Sequence, residues 1–143
     1  MSLFKIFDVS GSALTAQSVR LNTTASNLAN AESLGNSPRS AYKARHPVFA
    51  SLVNEFGATP AEDESAVGVR VLGIVESSAP ALVRYQPDHP LADANGRVYV
   101  SNVNSIEEMT NMIAASRSFQ SNVEVINTSR DLLLKTITMG ARA

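Results

Sequence analysis

Leucine and phenylalanine recur every seven residues near the start of this chain, and that spacing restricts the segment to a helix packed along a seam. Phe7, Leu14, Leu21 and Leu28 form one line, and Leu3, Gly11, Ser18 and Ala25 fill the interleaved positions. Alternation by three and four is the pattern of a coiled-coil seam. Large residues here alternate with small ones, which lets a partner helix approach closely. Residues 3–31 contain no proline and a single glycine, so one unbroken helix is expected.

The C-terminal stretch repeats the pattern. Ser105-Ile106-Glu107-Glu108 reads as a capping box, with Ser105 as N-cap and Glu108 reaching back. Met109, Met112, Ser116, Phe119, Val123, Ile126, Arg130, Leu133 and Ile137 then alternate by three and four, interrupted only by Ser116 and Arg130. Gly140 is a plausible stop. A helix over residues 106–139 would be roughly 50 Å long at 1.5 Å per residue, longer than the core of a small globule requires.

The middle is of another kind. Residues 33–47 carry Gly35, Asn36, Pro38 and Pro47 and read as loop, and Ala61–Ser65 reads as an acidic surface turn. Val67, Val69 and Val71 alternate with Gly68 and Arg70, while Leu82-Val83-Tyr85 and Val98-Tyr99-Val100 suggest two further strands. The expected architecture is α+β: an N-terminal helix over 1–31, a small β-rich module over 32–104 and a C-terminal helix over 105–143.

The polar residues of these helices constrain their surroundings. Residues 1–31 hold twelve Ser, Thr, Asn or Gln but only three charges, Lys5, Asp8 and Arg20. Ser, Thr and Asn compete with the backbone for hydrogen bonds and are poor solvent-facing helix formers. Leu132, Leu133, Leu134, Val125 and Met139 also spread apolar residues around the second helix. A helix apolar all round is normally covered all round, which a two-helix hairpin cannot achieve alone. The same stripes also suit the chain's own core or a simple coiled coil.

Chemistry is sparse. No phosphate loop, dinucleotide fingerprint, nucleophile elbow or zincin pattern occurs. Net charge is −1 with no basic run pointing to nucleic acid, and there is no cysteine for thiol, disulfide or zinc chemistry. His46 and His89 lie beside prolines in expected loops, and the Asp88–Asp93 cluster matches no closed ligand set. No catalytic, cofactor-binding or metal residue is assigned. Lys5 and Asp8 interrupt the first apolar stretch, so neither a cleaved signal peptide nor a membrane span is expected there.

Several motifs resemble one family. Ala25-Ser26-Asn27-Leu28-Ala29-Asn30-Ala31 resembles the N-terminal motif of bacterial flagellar rod and hook axial proteins, and Phe7 to Gln17 resembles the start of their proximal-rod members. His89 to Gly96, Asn102-Val103-Asn104, Glu107-Glu108-Met109, Ala115 to Val123 and Leu134 to Gly140 follow that proximal-rod pattern in order. Ser33 to Ala44 and Ser101 depart from it. The resemblance implies a non-enzymatic subunit of the periplasmic rod, exported through the flagellar type III apparatus without a cleaved signal. Its partners would be copies of itself and other rod proteins. Phe7, Leu14, Leu21, Asn27, Leu28, Asn30, Met109, Met112, Phe119, Val123, Ile126, Leu133 and Ile137 are the expected assembly contacts. Another rod component, or a helical secretion chaperone or adaptor, uses similar stripes.

Overall fold

A computed structural model describes residues 3–53 and 66–140. The elements are α1 (Leu3–Ala29), β1 (Leu34–Gly35), β2 (Arg45–Val53), β3 (Ala66–Glu76), β4 (Leu82–Tyr85), β5 (Arg97–Val100) and α2 (Ser105–Gly140). The class is α+β, with antiparallel strands between two helices that pack along each other. The acidic turn expected at 61–65 lies outside the described residues.

Several hydroxyls of α1 are satisfied by the helix's own carbonyls, whereas Gln17 Oε1 is buried with no partner among the described residues. The hydroxyls of Thr15, Thr23 and Thr24 donate to carbonyls four residues back at 2.8–3.1 Å, and Ser12 Oγ to that of Val9. Thr110 and Thr136 do the same in α2. Short hydroxyl side chains thereby hide their polarity and leave a slim surface for a neighbouring helix. The first helix stops at Ala29, two residues short of expectation, where Asn30 and Ala31 turn back onto the last carbonyls.

α2 starts at a different cap from the expected one. Asn104 Oδ1 accepts from the amides of Ile106 (3.1 Å) and Glu107 (3.5 Å), and Glu108 N donates to the Asn104 carbonyl. Asn104, not Ser105, is therefore the N-cap, because its side chain alone faces the orphan amides. Glu108 turns inward instead of reaching back. It is buried, and its Oε2 has no partner among the described residues.

Residues 33–47 are not wholly loop. Leu34 pairs with Val100 and Gly35 with Tyr99, so β5 is the centre of a sheet ordered β1-β5-β4. This pairing ties the end of α1 to the start of α2 and sets the helices side by side and antiparallel. Val98, Val100 and Val103 are buried at the junction, with Ala31, Ala44 and Tyr42 packed round Val103. Asn102 Oδ1 accepts from Ala44 N (2.7 Å) and its amide donates to the Ala79 carbonyl (2.8 Å), binding the module's entry to its exit.

β2 and β3 form a separate two-stranded ribbon lying on α1, with Arg45 opposite Glu76 at one end and Val53 opposite Ala66 at the other. Val69 N donates to Ser12 Oγ at 3.1 Å. Gly68 sits there at φ 155°, and a Cβ on it would come within 2.6 Å of that oxygen, so a side chain would be strained in its backbone and would push the Ser12 hydroxyl away from Val69. Isolated hairpins are marginal in water; α1 is the support this one rests on.

Asp93 organises the turn before β5. Its Oδ1 accepts from Asn95 N and Arg97 N, and its Oδ2 from the Tyr99 hydroxyl. These bonds, the Arg97 amide foremost, hold its carboxyl below the ordinary value against the opposing cost of desolvation. A depressed folded-state pKa stabilises the turn above the unfolded carboxylate value of about 3.9, and the contribution is lost as pH falls through the folded value. Exchange protection of the Asn95 and Arg97 amides is expected to fall across that acid range in NMR, and Asp93→Asn to remove the pH dependence. Protection that stays unchanged down to the lowest pH at which the chain remains folded would refute this account of the turn.

Candidate assembly interface

The face that α2 turns to α1 follows a heptad displaced by one residue from part of the expected stripe. Glu108, Ala115 and Ser129 are buried and Asn122 is half-buried, while Met112, Phe119, Ile126 and Leu133 interleave with them, half-buried. Of the residues interleaved in the expected stripe, Ser116 and Val123 are half-buried, whereas Met109, Arg130 and Ile137 are exposed. Ala115 and Ser129 are small enough for α1 to approach closely at their positions, while Glu108 is a long side chain buried in the same line. On α1, Phe7, Leu14, Leu21 and Leu28 are all half-buried, touching the chain's own fold and keeping surface to spare.

The two motif asparagines have unlike surroundings. Asn27 has no accessible surface. Its Oδ1 accepts from Arg45 N (2.9 Å) and the Tyr42 hydroxyl (3.0 Å), and its Nδ2 donates to the Arg45 carbonyl (2.8 Å). One amide thus imitates a strand partner for residue 45 and fixes the ribbon's root to α1. The expected contact role of Asn27 gives way to a role inside its own fold, because a side chain with no accessible surface cannot meet a neighbour. Asn30 is half-buried and donates to the Ser26 carbonyl at 2.8 Å, closing the helix end.

Much apolar surface remains uncovered. Ile106, Met109 and Ile113 line one face of the first turns of α2, with Ile106 78% exposed. Leu132, Leu134, Ile137 and Met139 are exposed at the other end. α2 has 36 residues and α1 27, so with their β1–β5 ends aligned α2 projects about 13 Å past α1 at 1.5 Å per residue. The bare residues of its last turns lie on that projection. All four residues of β4 are exposed as well, and β4 is an edge strand. Ile106 and Ile113 were missed in the sequence although, with Met109, they repeat at helical spacing.

Among the described residues no group of three or more His, Cys, Asp or Glu is placed to hold a metal. His89 Nδ1 accepts from Leu91 N within its turn. No helix among them is long and apolar enough to cross a membrane.

Comparison with known proteins decides the lineage. Residues 7–32 match the family model "Flagella basal body rod protein", and residues 94–139 match "Flagellar basal body rod FlgEFG protein C-terminal". The flagellar basal-body rod protein FlgC of Salmonella typhimurium is 47% identical over 98% of this chain and 99% of its own. The chain belongs to the FlgC family of flagellar basal-body rod proteins. The FlgC of Yersinia enterocolitica is 49% identical over the same shares, and that of Buchnera aphidicola from Acyrthosiphon pisum 40% over 97% of this chain and 98% of its own. The two family-model matches fall on α1 with its cap and on β5 with α2, the parts that hold the seam and its uncovered flanks.

Proposed function

We propose that this FlgC-family chain is a structural subunit of the bacterial flagellar rod, polymerising by packing its two terminal helices against those of neighbours. The observation that carries the reading is the projecting end of α2, whose Leu132, Leu134, Ile137 and Met139 its own α1 leaves bare. Burying a side chain of that class contributes about 1.5–3 kcal/mol, so several together supply a subunit contact. Phe7, Leu14, Leu21 and Leu28 on α1, with Met109, Met112, Phe119, Val123 and Ile126 on α2, offer their remaining surface to the same purpose, and Asn30 closes the helix end beside them. Contacts of this unlike-to-unlike kind do not close on themselves and generate helical polymers.

The partners in this reading are copies of the chain, other rod proteins and the flagellar type III export apparatus, and the location is the periplasmic rod. The β-rich module lies outside the helical tube, and the role is mechanical, without catalysis. A secretion chaperone would stay in the cytoplasm as a stable dimer. Mass spectrometry of purified basal bodies separates the two readings. The chain is expected there in several copies per particle; its confinement to the soluble cytoplasmic fraction would sink the rod reading.

A further inference from the structure

We propose that a basic concavity at the foot of the β2–β3 ribbon receives the acidic segment Glu62-Asp63-Glu64 of a second copy of the chain. The inference rests on the rod reading, since it needs copies side by side. The concavity, about 350 Å³, is lined by Arg39, Ser40, Lys43, Arg45 and Glu76 among others. Arg45 is held in place, paired with Glu76 at 3.1 Å and stacked 5.5 Å from the Tyr42 ring centre. Arg39 and Lys43 have no ion pair among the described residues, so the site carries an excess of two positive charges, three cations against Glu76. Nowhere else in the chain do three cations fall within seven residues, and Glu62-Asp63-Glu64 is its only run of three acids.

These complementary segments belong to opposite ends of one ribbon. From Arg45 to Val53, β2 makes eight steps, about 26 Å at 3.3 Å per step. Val53 pairs with Ala66 at the far end, and Glu64, Asp63 and Glu62 lie two, three and four residues before Ala66. A fully stretched chain carries those residues only about 7, 11 and 14 Å from it. The bulk of the acidic charge cannot return to the foot of its own ribbon. A neighbour's can. The contact is foot to far end, so it joins unlike surfaces and propagates without closing. Successive copies would be displaced along the ribbon by about its own length. The attraction lies at the surface and weakens with salt.

The natural absence of cysteine makes the test clean. Arg39→Cys and Asp63→Cys are placed together in one chain and expressed in a flagellated host lacking its own copy. Purified basal bodies are then treated with a mild copper oxidant. A ladder of dimers and higher multimers on a non-reducing gel, collapsed by reductant and missing from either single variant, is the expected result. A fast-migrating monomer, a bridge to a different protein, or no bridge in particles that contain the variant overturns the proposal. In parallel, Arg39→Glu with Lys43→Glu is expected to lower subunit content about tenfold, one decade being about 1.4 kcal/mol. Adding Glu62→Lys, Asp63→Lys and Glu64→Lys should restore it, and failure to restore counts against the pairing. Absence of the unaltered chain from basal bodies would instead remove the rod reading itself.

Discussion

Asn27→Ala is expected to destabilise the isolated chain by about 2–4 kcal/mol, the largest effect of any single polar truncation in α1. The change strands the Arg45 amide and carbonyl and takes one of two partners from the Tyr42 hydroxyl, which keeps Ser26 Oγ at 3.2 Å. Leaving a buried donor or acceptor unpaired costs about 1–3 kcal/mol, and water reaching residue 45 offsets part of the sum. Loss of the clamp also frees the ribbon's root, so amides of β2 should exchange faster than those of β5. Asn30→Ala is the control, because that side chain makes one bond to its own helix and should cost about 0.5–1.5 kcal/mol. Urea titration measures both. The midpoint is expected to fall by about 1–2 M for Asn27→Ala with the slope unchanged. Equal shifts for the two variants would show that Asn27 is not a clamp.

Truncation after Asp131 should separate folding from assembly. The exposed Leu132, Leu134, Ile137 and Met139 contribute little to the fold of the free chain, and Leu133 is only half-buried. The monomer should therefore lose no more than about 1–2 kcal/mol, since burial in proportion to area sets the loss. In an assembly the same four residues, even half covered, contribute about 3–6 kcal/mol together, a factor above 100 in affinity. The expected outcome is a folded, exported subunit found in the medium and depleted from basal bodies. Circular dichroism on the purified variant and quantitation of both fractions give the answer. Normal incorporation would place the subunit contact elsewhere than on the end of α2.

Both helices were legible in the sequence because heptad periodicity is local: each side chain's face follows from its number and the pitch of the helix. β4 and β5 were legible for the same reason, through short alternation bounded by Pro87, Pro90 and Gly96. β1 and most of β2 were not. Gly35, Pro38 and Pro47 are turn chemistry, and these stretches become strands through partners far along the chain, Gly35 with Tyr99 and Pro47 with Ile74. Pro47 is tolerated because β2 pairs on one side only.

The candidate interface divides along the same line. Periodicity marked Leu21, Phe119 and Ile126 as residues that seek cover, and it did so from local spacing alone. It carried no information on who covers them. That α1 takes the Ala115 line rather than the Met109 line goes with the β1–β5 pairing, and that Asn27 serves Arg45 eighteen residues on goes with the return of the β2–β3 ribbon onto α1. The pairing fixes the rotation and offset of the helices, and hence which apolar residues the chain covers itself and which it leaves for neighbours.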